Sequence, residues 1–544
     1  MAASVGARRW IGLIAVALGV ALIVVDTTIV NVITPSVIDD LGIDSTQAQW
    51  IQEGYTIIFA ALLLLTGRLS DLWGAKKLFL SGVIFFGITS VLAGLARNGD
   101  VLIAARFLQG IGAAAVLPTS LALLNHMFTG KARGQAFAVW GSTIGAATAL
   151  GPVLGGWLSE YSTWRWAFGL NVPLVIVILV IGALFLTESV KSTGGVDLFG
   201  AILSILGLGL AAFGLVEGRT YGWLTSREAL EFFGAKWDSG LSPAFVALVL
   251  AVLLLAVFVW RQVLISRGHH KHAPLMDTKL FSISSFRNGN FATIIIGLGE
   301  FGIIAVLPLW LQFTLDYTAL EAGATLVAIA VGSFVASGFS FPLTATGKVT
   351  ALDLVRAGLV LEVVGLTALG LVALRTDANW WFIAIALFLY GIGVGLATAQ
   401  VTNVVLAEIP ENKGGQGSGI QSTFRQLGSA LGIAVLTTVF FSTLADKLHD
   451  LLLDKGYSAA DAVDFSEGVT KSAGHAIASL AENPATVAVA EAGRDAMTHA
   501  LAFGSFLAAG FLVVGVIATV SIPNRREAGE GTTDARAPIA GQGS

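Results

Sequence analysis

The 544-residue sequence contains no cysteine, and only 12% of its residues are charged. The absence of cysteine excludes disulfides, thiolate metal sites and cysteine nucleophiles. Soluble proteins average about a quarter charged residues, whereas 55% of this chain is hydrophobic. A formal net charge of −4 lacks the basic excess that favours nucleic-acid binding. The composition therefore indicates a polytopic membrane protein that contacts the lipid bilayer and no nucleic acid.

Motifs for nucleotide and metal chemistry are also missing or incomplete. The segment "GLGEFG" (297–302) matches a Gly-x-Gly-x-x-Gly pattern but lies in an apolar run with no preceding strand. The segment "HHKH" (269–272) has no carboxylate or cysteine at ligand spacing, which favours a solvated basic loop over a metal site. We find no nucleophile, ligand set or converging acid pair typical of an enzyme. The sequence therefore predicts no metal, no cofactor and no enzymatic activity.

Long apolar runs dominate the chain. A helix needs about 20 apolar residues to cross the hydrocarbon core, and on that rule we predict an all-α membrane protein with fourteen spans. Apart from Arg106 and Arg425, the Lys and Arg residues lie between the spans or within a few residues of a span end, nineteen on one face and ten on the other. This bias predicts that both termini are cytoplasmic. We expect a monomer in the inner (plasma) membrane. The predicted spans are 11–35, 50–67, 78–96, 101–124, 135–158, 167–187, 198–217, 243–264, 290–311, 322–342, 354–374, 380–404, 416–441 and 498–521.

An internal repeat suggests how the spans are grouped. "GQAFAVWGSTIGAATALGP" (134–152) aligns without a gap with "GQGSGIQSTFRQLGSALGI" (415–433), and both begin a span from the same side. Parallel repeats of this kind are related by an axis along the membrane normal. We therefore predict a six-helix N-terminal lobe, a linker with two inserted spans, a six-helix C-terminal lobe and a disordered cytoplasmic tail. Their bounds are 1–190, 191–289, 290–523 and 524–544.

The predicted external segment 442–497 is the least familiar part of the C-terminal lobe. Leu444, Leu448, Leu451 and Leu452 recur at helical spacing along its first part. Either a cap over the outer mouth or a surface helical hairpin fits this pattern.

Several motifs carry a family resemblance. "GRLSDLWGAKKLF" (67–79), "RFLQGIGAAAV" (106–116) and "ALGPVLGGW" (149–157) resemble signatures of the major facilitator superfamily. "VDTTIVNVITP" (25–35), "WRWAFGLNVP" (164–173) and "FRQLGSALG" (424–432) are similar to its fourteen-span drug:proton antiporter branch. The resemblance implies two lobes that rock around a central cavity and export a small drug-like or amphipathic cargo in exchange for protons, the coupling ion. Export of one metabolite, uptake by symport, a membrane-embedded enzyme and a receptor are the alternatives.

Two of these motifs predict gating elements. Asp71, flanked by Gly67 and Gly74 in a tight turn, could face a neighbouring helix N-terminus or a basic side chain and latch the lobes together. The alternative is a solvated acid in a short loop. Pro152 is predicted to kink span five, and Gly151, Gly155 and Gly156 to let another backbone approach. Simple packing is the alternative there.

Ionisable side chains inside the spans are few, and each is a candidate for proton coupling or cargo binding, with a structural ion pair as the alternative. Asp26 and Arg106 lie at the same depth, roughly 22 Å from the cytoplasmic side at 1.5 Å per helical residue, which predicts an ion pair. We assign proton coupling to Asp26, Arg106 and Glu300. The residues predicted to line the cargo cavity are Asn31, Gln109, Trp310, Gln312, Glu362 and Arg425, with core packing as an equal alternative for the first four.

Overall fold

The computed structural model describes residues 2–522, apart from 44, 233–234, 238–239, 269–272, 346–348 and 375–378. The segment 269–272, for which a metal site was rejected, and the tail 524–544, predicted to be disordered, lie outside the described residues.

The N-terminal part of the chain folds into seven helices that account for six predicted spans. The sixth span is divided in two, because a short helix precedes the main one. The helices are α1 Ala2–Leu41, α2 Ser45–Trp73, α3 Ala75–Gly94, α4 Gly99–Met127, α5 Gly130–Tyr161, α6 Arg165–Gly169 and α7 Asn171–Phe185.

Two helices follow, α8 Leu198–Tyr221 and α9 Pro243–Ser266, with a small antiparallel hairpin between them. Its strands are β1 Leu230–Phe232 and β2 Ala235–Trp237. A short 3₁₀ turn at Thr278–Ser282 leads into the C-terminal part. The remaining helices are α10 Ser284–Phe313, α11 Ala319–Ala345, α12 Ala351–Ala373, α13 Trp380–Leu406, α14 Gly414–Asp454, α15 Ala459–Lys471, α16 Ala476–Glu482 and α17 Val487–Val520.

The predicted all-α membrane fold is confirmed. Within the described residues, 13 helices are long and apolar enough to cross a membrane, and α11 contains a shorter apolar segment, Leu320–Ala336, at the position of the predicted tenth span. Helices suit this environment because lipid offers no hydrogen bonds to the backbone, so each segment must satisfy its own. Several helices extend beyond the predicted bounds. Helix α2 continues to Trp73 through the predicted loop, α14 continues to Asp454 beyond the predicted thirteenth span, and α17 begins at Val487, well before the predicted fourteenth span.

Helix packing places a seam between the two halves of the chain. We call α1–α7 the N-terminal lobe and α10–α14 with α17 the C-terminal lobe. Helix α5 packs against α11 and α13, and α2 and α4 pack against α14, so these helices form the seam. Helix α8 packs on α2 and α14, and α9 packs on α8. The domain bounds from the sequence stay a prediction.

The first part of the external segment is helical, as its spacing predicted. Leu444, Leu448 and Leu452 on α14 are each 0% exposed, and α14 packs against α15. Whether this segment caps the outer mouth stays a prediction.

Candidate functional site

The core of the N-terminal lobe holds a buried ion pair. Asp26 of α1 is 0% exposed, and Arg106 Nη1 of α4 lies 2.5 Å from Asp26 Oδ2. The second carboxylate oxygen, Asp26 Oδ1, accepts a hydrogen bond of 2.9 Å from Asn171 Nδ2 of α7. The ion pair predicted from helical depth is therefore present, and it ties together three helices of the lobe.

Arg106 has further partners besides the carboxylate. Its Nε donates to the Ile51 carbonyl oxygen at 3.1 Å and its Nη1 to Gln109 Oε1 at 2.9 Å. The guanidinium carbon lies 4.3 Å from the centre of the Tyr55 ring, a favourable cation–π geometry. These contacts offset part of the cost of burying two charges, since a buried pair is tolerated when hydrogen bonds satisfy the remaining donors and acceptors.

The C-terminal lobe has a second buried cluster. Glu300 of α10 is 4% exposed, and its Oε1 accepts a hydrogen bond of 2.7 Å from Thr398 Oγ1 of α13. The positive charge of Arg425 on α14 acts on Glu300. The Arg425 guanidinium carbon also lies 5.4 Å from the ring centre of Trp140 on α5, across the seam. Each lobe therefore holds a buried acid near an arginine, with Arg106 fully buried and Arg425 half-buried.

A cavity of about 480 Å³ lies between the lobes, close to the first cluster. This volume falls within the range of small-molecule sites. The helices α1, α2, α5, α10 and α11 form its wall. The lining residues are Thr28, Asn31, Val32, Pro35, Gln52, Gly145, Thr148, Pro152, Ile304, Ala305, Pro308, Leu309, Gln312, Ala322, Gly323, Leu326 and Ile329.

Of the six residues predicted to line the cargo cavity, Asn31 and Gln312 line this one, and the other four do not. Gln109 is turned into the Asp26 cluster, where its Nε2 donates to Ser90 Oγ at 2.8 Å. Trp310 is 1% exposed, with its ring nitrogen bonded to Thr498 Oγ1 at 3.2 Å. Glu362 is 0% exposed. Arg425 lies against aromatic rings.

The glycines of "GPVLGG" differ in their roles. A Cβ at Gly151 would collide with Thr28 Oγ1, and one at Gly155 would lie 2.9 Å from Val32 Cβ. These two glycines let α5 lie directly against α1. At Gly156 a Cβ would be in ordinary van der Waals contact with the Leu320 backbone, 3.7 Å away. The backbone of α11 therefore lies beside this glycine, but the spacing does not require a glycine. Pro152 lines the cavity from α5.

Asp71 joins the lobes at the end of the bundle opposite the cavity. Its Oδ1 accepts a hydrogen bond of 2.6 Å from the Gly415 backbone N–H, and its Oδ2 one of 2.9 Å from Gln416. These are the first N–H groups of α14, where the helix dipole favours an anion. Asp71 is 3% exposed. The predicted contact with a helix N-terminus is confirmed, and the alternative of a solvated loop acid was wrong.

The two glycines beside Asp71 do not share one turn. Gly74 has φ +102° and forms the turn between α2 and α3, which suits glycine because a side chain strains this conformation. Gly67 lies inside α2, so the predicted turn there was wrong. A Cβ at Gly67 would lie 2.6 Å from the Gly415 carbonyl oxygen. Its role is therefore to let α14 approach α2 closely.

Comparison with known proteins decides the family. The family model described as Major Facilitator Superfamily matches residues 16–433. The chain belongs to this superfamily. This facilitator is similar to the puromycin resistance protein pur8 of Streptomyces alboniger, with 33% identity over 84% of this chain and 86% of the relative. It is also similar to the multidrug efflux pump LfrA of Mycolicibacterium smegmatis, with 28% identity over 95% of this chain and 97% of the relative.

Solved structures agree on the fold of this facilitator. A double-tryptophan mutant of XylE gives a TM-score of 0.58 at 12% identity, over 94% of this chain and 96% of that one. The human organic anion transporter MFSD10 gives a TM-score of 0.56 at 15% identity, over 93% and 99% of the two chains. The protein is therefore a multi-pass membrane protein of a transporter family.

Other contacts of this facilitator were missed in the sequence. Asn171 completes the Asp26 cluster, and its only signal was an amide within a predicted apolar span. At the Asp71 end, Arg133 Nε of α5 donates to Asn403 Oδ1 of α13 at 2.9 Å, and Lys413 Nζ lies 2.6 Å from Asp277 Oδ2. Burial raises the pKa of Asp277, but the hydrogen bonds from the Lys413 side chain and the Lys279 backbone N–H, with the charges of both lysines, together lower it by more, so the pKa lies below its ordinary value. The Asp277 carboxylate therefore stays ionised at neutral pH.

Replacing Asp71 with alanine is expected to loosen this end of the seam. The change removes two hydrogen bonds from the start of α14, and losing an N-terminal cap typically costs about 0.5–2 kcal/mol. Because the natural chain has no cysteine, Ser418→Cys provides a single thiol at a fully buried position of α14. Maleimide should label the cysteine introduced at position 418 slowly in the protein that keeps Asp71, and several-fold faster in the protein that also carries Asp71→Ala. Glu411→Ala, at an exposed position, is the matched control. Equal labelling rates with Asp71 intact, with Asp71→Ala and with Glu411→Ala would refute the role of Asp71 as a latch.

Proposed function

We propose that this facilitator exports drug-like amphipathic compounds in exchange for protons by alternating access. The observation that carries the proposal is the Asp26–Arg106 pair, buried in the lobe core immediately beside the cavity. Asp26 lies on α1 two residues before Thr28 and five before Asn31, both of which line the cavity. Asp26 is thereby within one or two helical turns of the residues that would contact bound cargo, so a change in its protonation can affect them.

The position of the cavity supports one state of the transport cycle. Gln52, which lines the cavity, lies near the start of α2, about 28 Å along the helix from Asp71 at 1.5 Å per residue. The lobes are joined at the Asp71 end by hydrogen bonds and separated by the cavity near the other. We place the protein in the plasma membrane as a monomer, with both termini in the cytoplasm. In that orientation the Asp71 end is cytoplasmic and the cavity lies toward the outside, so this is the outward-facing state.

The cavity wall favours an amphipathic cargo. Most of its lining side chains are apolar, with a few amides and hydroxyls such as Asn31, Gln52, Thr148 and Gln312. Among the described lining residues none is charged. Such a wall binds by apolar contact with a few polar groups that orient the ligand, which suits compounds of the kind named in puromycin resistance and multidrug efflux.

Proton coupling follows from the chemistry of the pair. Protonation of Asp26 removes its negative charge, which weakens its hold on Arg106 and frees α1 and α4 to change their contact. Deprotonation restores the pair. Since α1 also packs against α5, which contributes Pro152 to the cavity wall, the change reaches the seam. Cargo and proton thereby favour different states, which is the requirement for exchange.

The test uses purified full-length protein in vesicles with an imposed pH gradient. Ethidium, a fluorescent amphipathic cation, is the probe. We expect ethidium to move against its own gradient, in the direction opposite to proton flow, and to stop when the pH gradient is collapsed. Movement in the same direction as protons would indicate symport. Absence of gradient-dependent movement for ethidium and for uncharged puromycin-like probes would overturn the proposal.

A further inference from the structure

Glu362 of α12 is the least compensated ionisable group in the described membrane-spanning helices. Its residue exposure is 0%, and neither carboxylate oxygen has a hydrogen-bond partner. Its side chain lies against the α13 backbone, where a Cβ added at Gly393 would be 2.5 Å from Glu362 Cγ. An ionised carboxylate without a partner would cost many kcal/mol at this depth, so such a group takes up a proton instead.

The surrounding charges lead to the same conclusion. The negative charge of Glu300 acts on Glu362, and Arg425 acts on Glu300. These three linked groups are two acids and one base, so the cluster is electrically neutral only when it holds one proton. Glu300 has both a donor, Thr398, and the guanidinium charge to stabilise its ionised form. The proton therefore belongs on Glu362.

The helices packed around Glu362 offer no other compensating charge. From α13 the titratable side chain is Tyr390, whose hydroxyl donates to the Glu300 backbone carbonyl at 2.8 Å. Helix α17 has no titratable residue between positions 501 and 520. On α12 itself, Arg356 is bonded through Nη2 to the Thr519 carbonyl at 3.1 Å.

We infer that Glu362 is a proton-binding site in the core of the C-terminal lobe, distinct from Asp26, and that it is loaded in the state seen here. A proton is favoured over a metal ion, because no group of three or more His, Asp or Glu side chains that could hold one occurs in the described chain. A metal ion would need several oxygen ligands. A proton, by contrast, needs a single oxygen, which the Glu362 carboxylate supplies.

The site is placed to respond to movement of the lobes. Helix α13 covers Glu362 at Gly393 on one side and packs against α5 across the seam on the other. When the seam rearranges and water reaches Glu362, its O–H bond breaks, the proton passes to water, and the carboxylate left behind is stabilised by hydration. Proton loading at Glu362 rests only on the structure, whereas its coupling to cargo rests on the proposed function.

Infrared spectroscopy of the purified full-length protein in lipid nanodiscs tests the protonation directly. At neutral pH the difference spectrum of wild type minus Glu362→Gln should contain a carboxylic-acid C=O band that shifts in heavy water. Glu362→Asp should move this band without removing it, which guards against loss through misfolding. Lipid-facing Val364→Ala, on the same helix and 48% exposed in wild type, is the control and should keep the band. A spectrum unchanged by Glu362→Gln would overturn the inference.

Flux measurements separate this inference from the proposed function. In vesicles, Glu362→Gln should lower the number of protons moved per ethidium, with transport itself retained. If the infrared band is assigned to Glu362 but no protein moves ethidium, the proposed function fails and the proton site stands. If transport is proton-coupled but Glu362→Gln changes neither the infrared band nor the proton-to-ethidium ratio, the proton site at Glu362 is refuted and the proposed function stands.

Discussion

Asparagine in place of Asp26 is expected to reduce proton-driven export to the level of protein-free vesicles. The amide is nearly isosteric but cannot take up or release a proton, so the exchange step is lost. We expect the protein to insert and fold, because Arg106 keeps its hydrogen bonds to Ile51 and Gln109 and its contact with the Tyr55 ring. The measurement is ethidium flux in vesicles under an imposed pH gradient, normalised to the amount of inserted protein.

A matched change on the same helix controls for the chemistry of the substitution. Asp39 also lies on α1 but is exposed, so Asp39→Asn should transport at the wild-type rate. If Asp26→Asn kept both the rate and the pH profile of wild type, the carboxylate would be structural and Glu300 would become the leading coupling residue.

Alanine in place of Arg106 is expected to cause the largest loss of stability. Removing one partner of a buried pair typically costs about 3–5 kcal/mol, and Arg106 is only 1% exposed. The change leaves Asp26 without a counter-charge and empties the space over Tyr55. Thermal unfolding in detergent, followed by fluorescence-detected size exclusion, should show a clear fall in Tm relative to wild type.

A double variant distinguishes the charge effect from the packing effect. Asp26→Asn with Arg106→Gln removes both charges and keeps polar side chains that can bond each other. Its Tm should recover most of the loss seen with Arg106→Ala, whereas export should stay absent. A double variant no more stable than Arg106→Ala would mean that lost packing, rather than an unpaired charge, sets the stability.

The Asp26 cluster shows which features of the site a sequence can predict. The depth of a residue in a span follows from counting at 1.5 Å per residue, and this placed Asp26 and Arg106 at one level. Counting does not give the direction in which each helix face points. Asn171, on α7, was missed for that reason, although its span was predicted correctly.

The same limit explains the errors at the cavity. Glu362 and Trp310 were taken as cavity residues because polar or aromatic groups in a span suggest a binding surface. The rotation of α12 and α10 instead turns them into the protein, where Trp310 bonds Thr498 and Glu362 meets α13. Gly67 was placed in a turn because the helical run was expected to end there, whereas α2 continues to Trp73.

Helix α14 joins the two ends of this molecule. It begins at Gly414, and the N–H groups of Gly415 and Gln416 in its first turn donate to Asp71. It runs without interruption to Asp454, in the segment predicted to be external, a length of about 60 Å. A rod of this length is a lever: a tilt of about 10° around its first turn displaces the far end by roughly 10 Å. Helix α15 packs on α14, in the segment predicted to be external. A spectroscopic label on α15 would therefore report whether the Asp71 hydrogen bonds at the other end of α14 are formed.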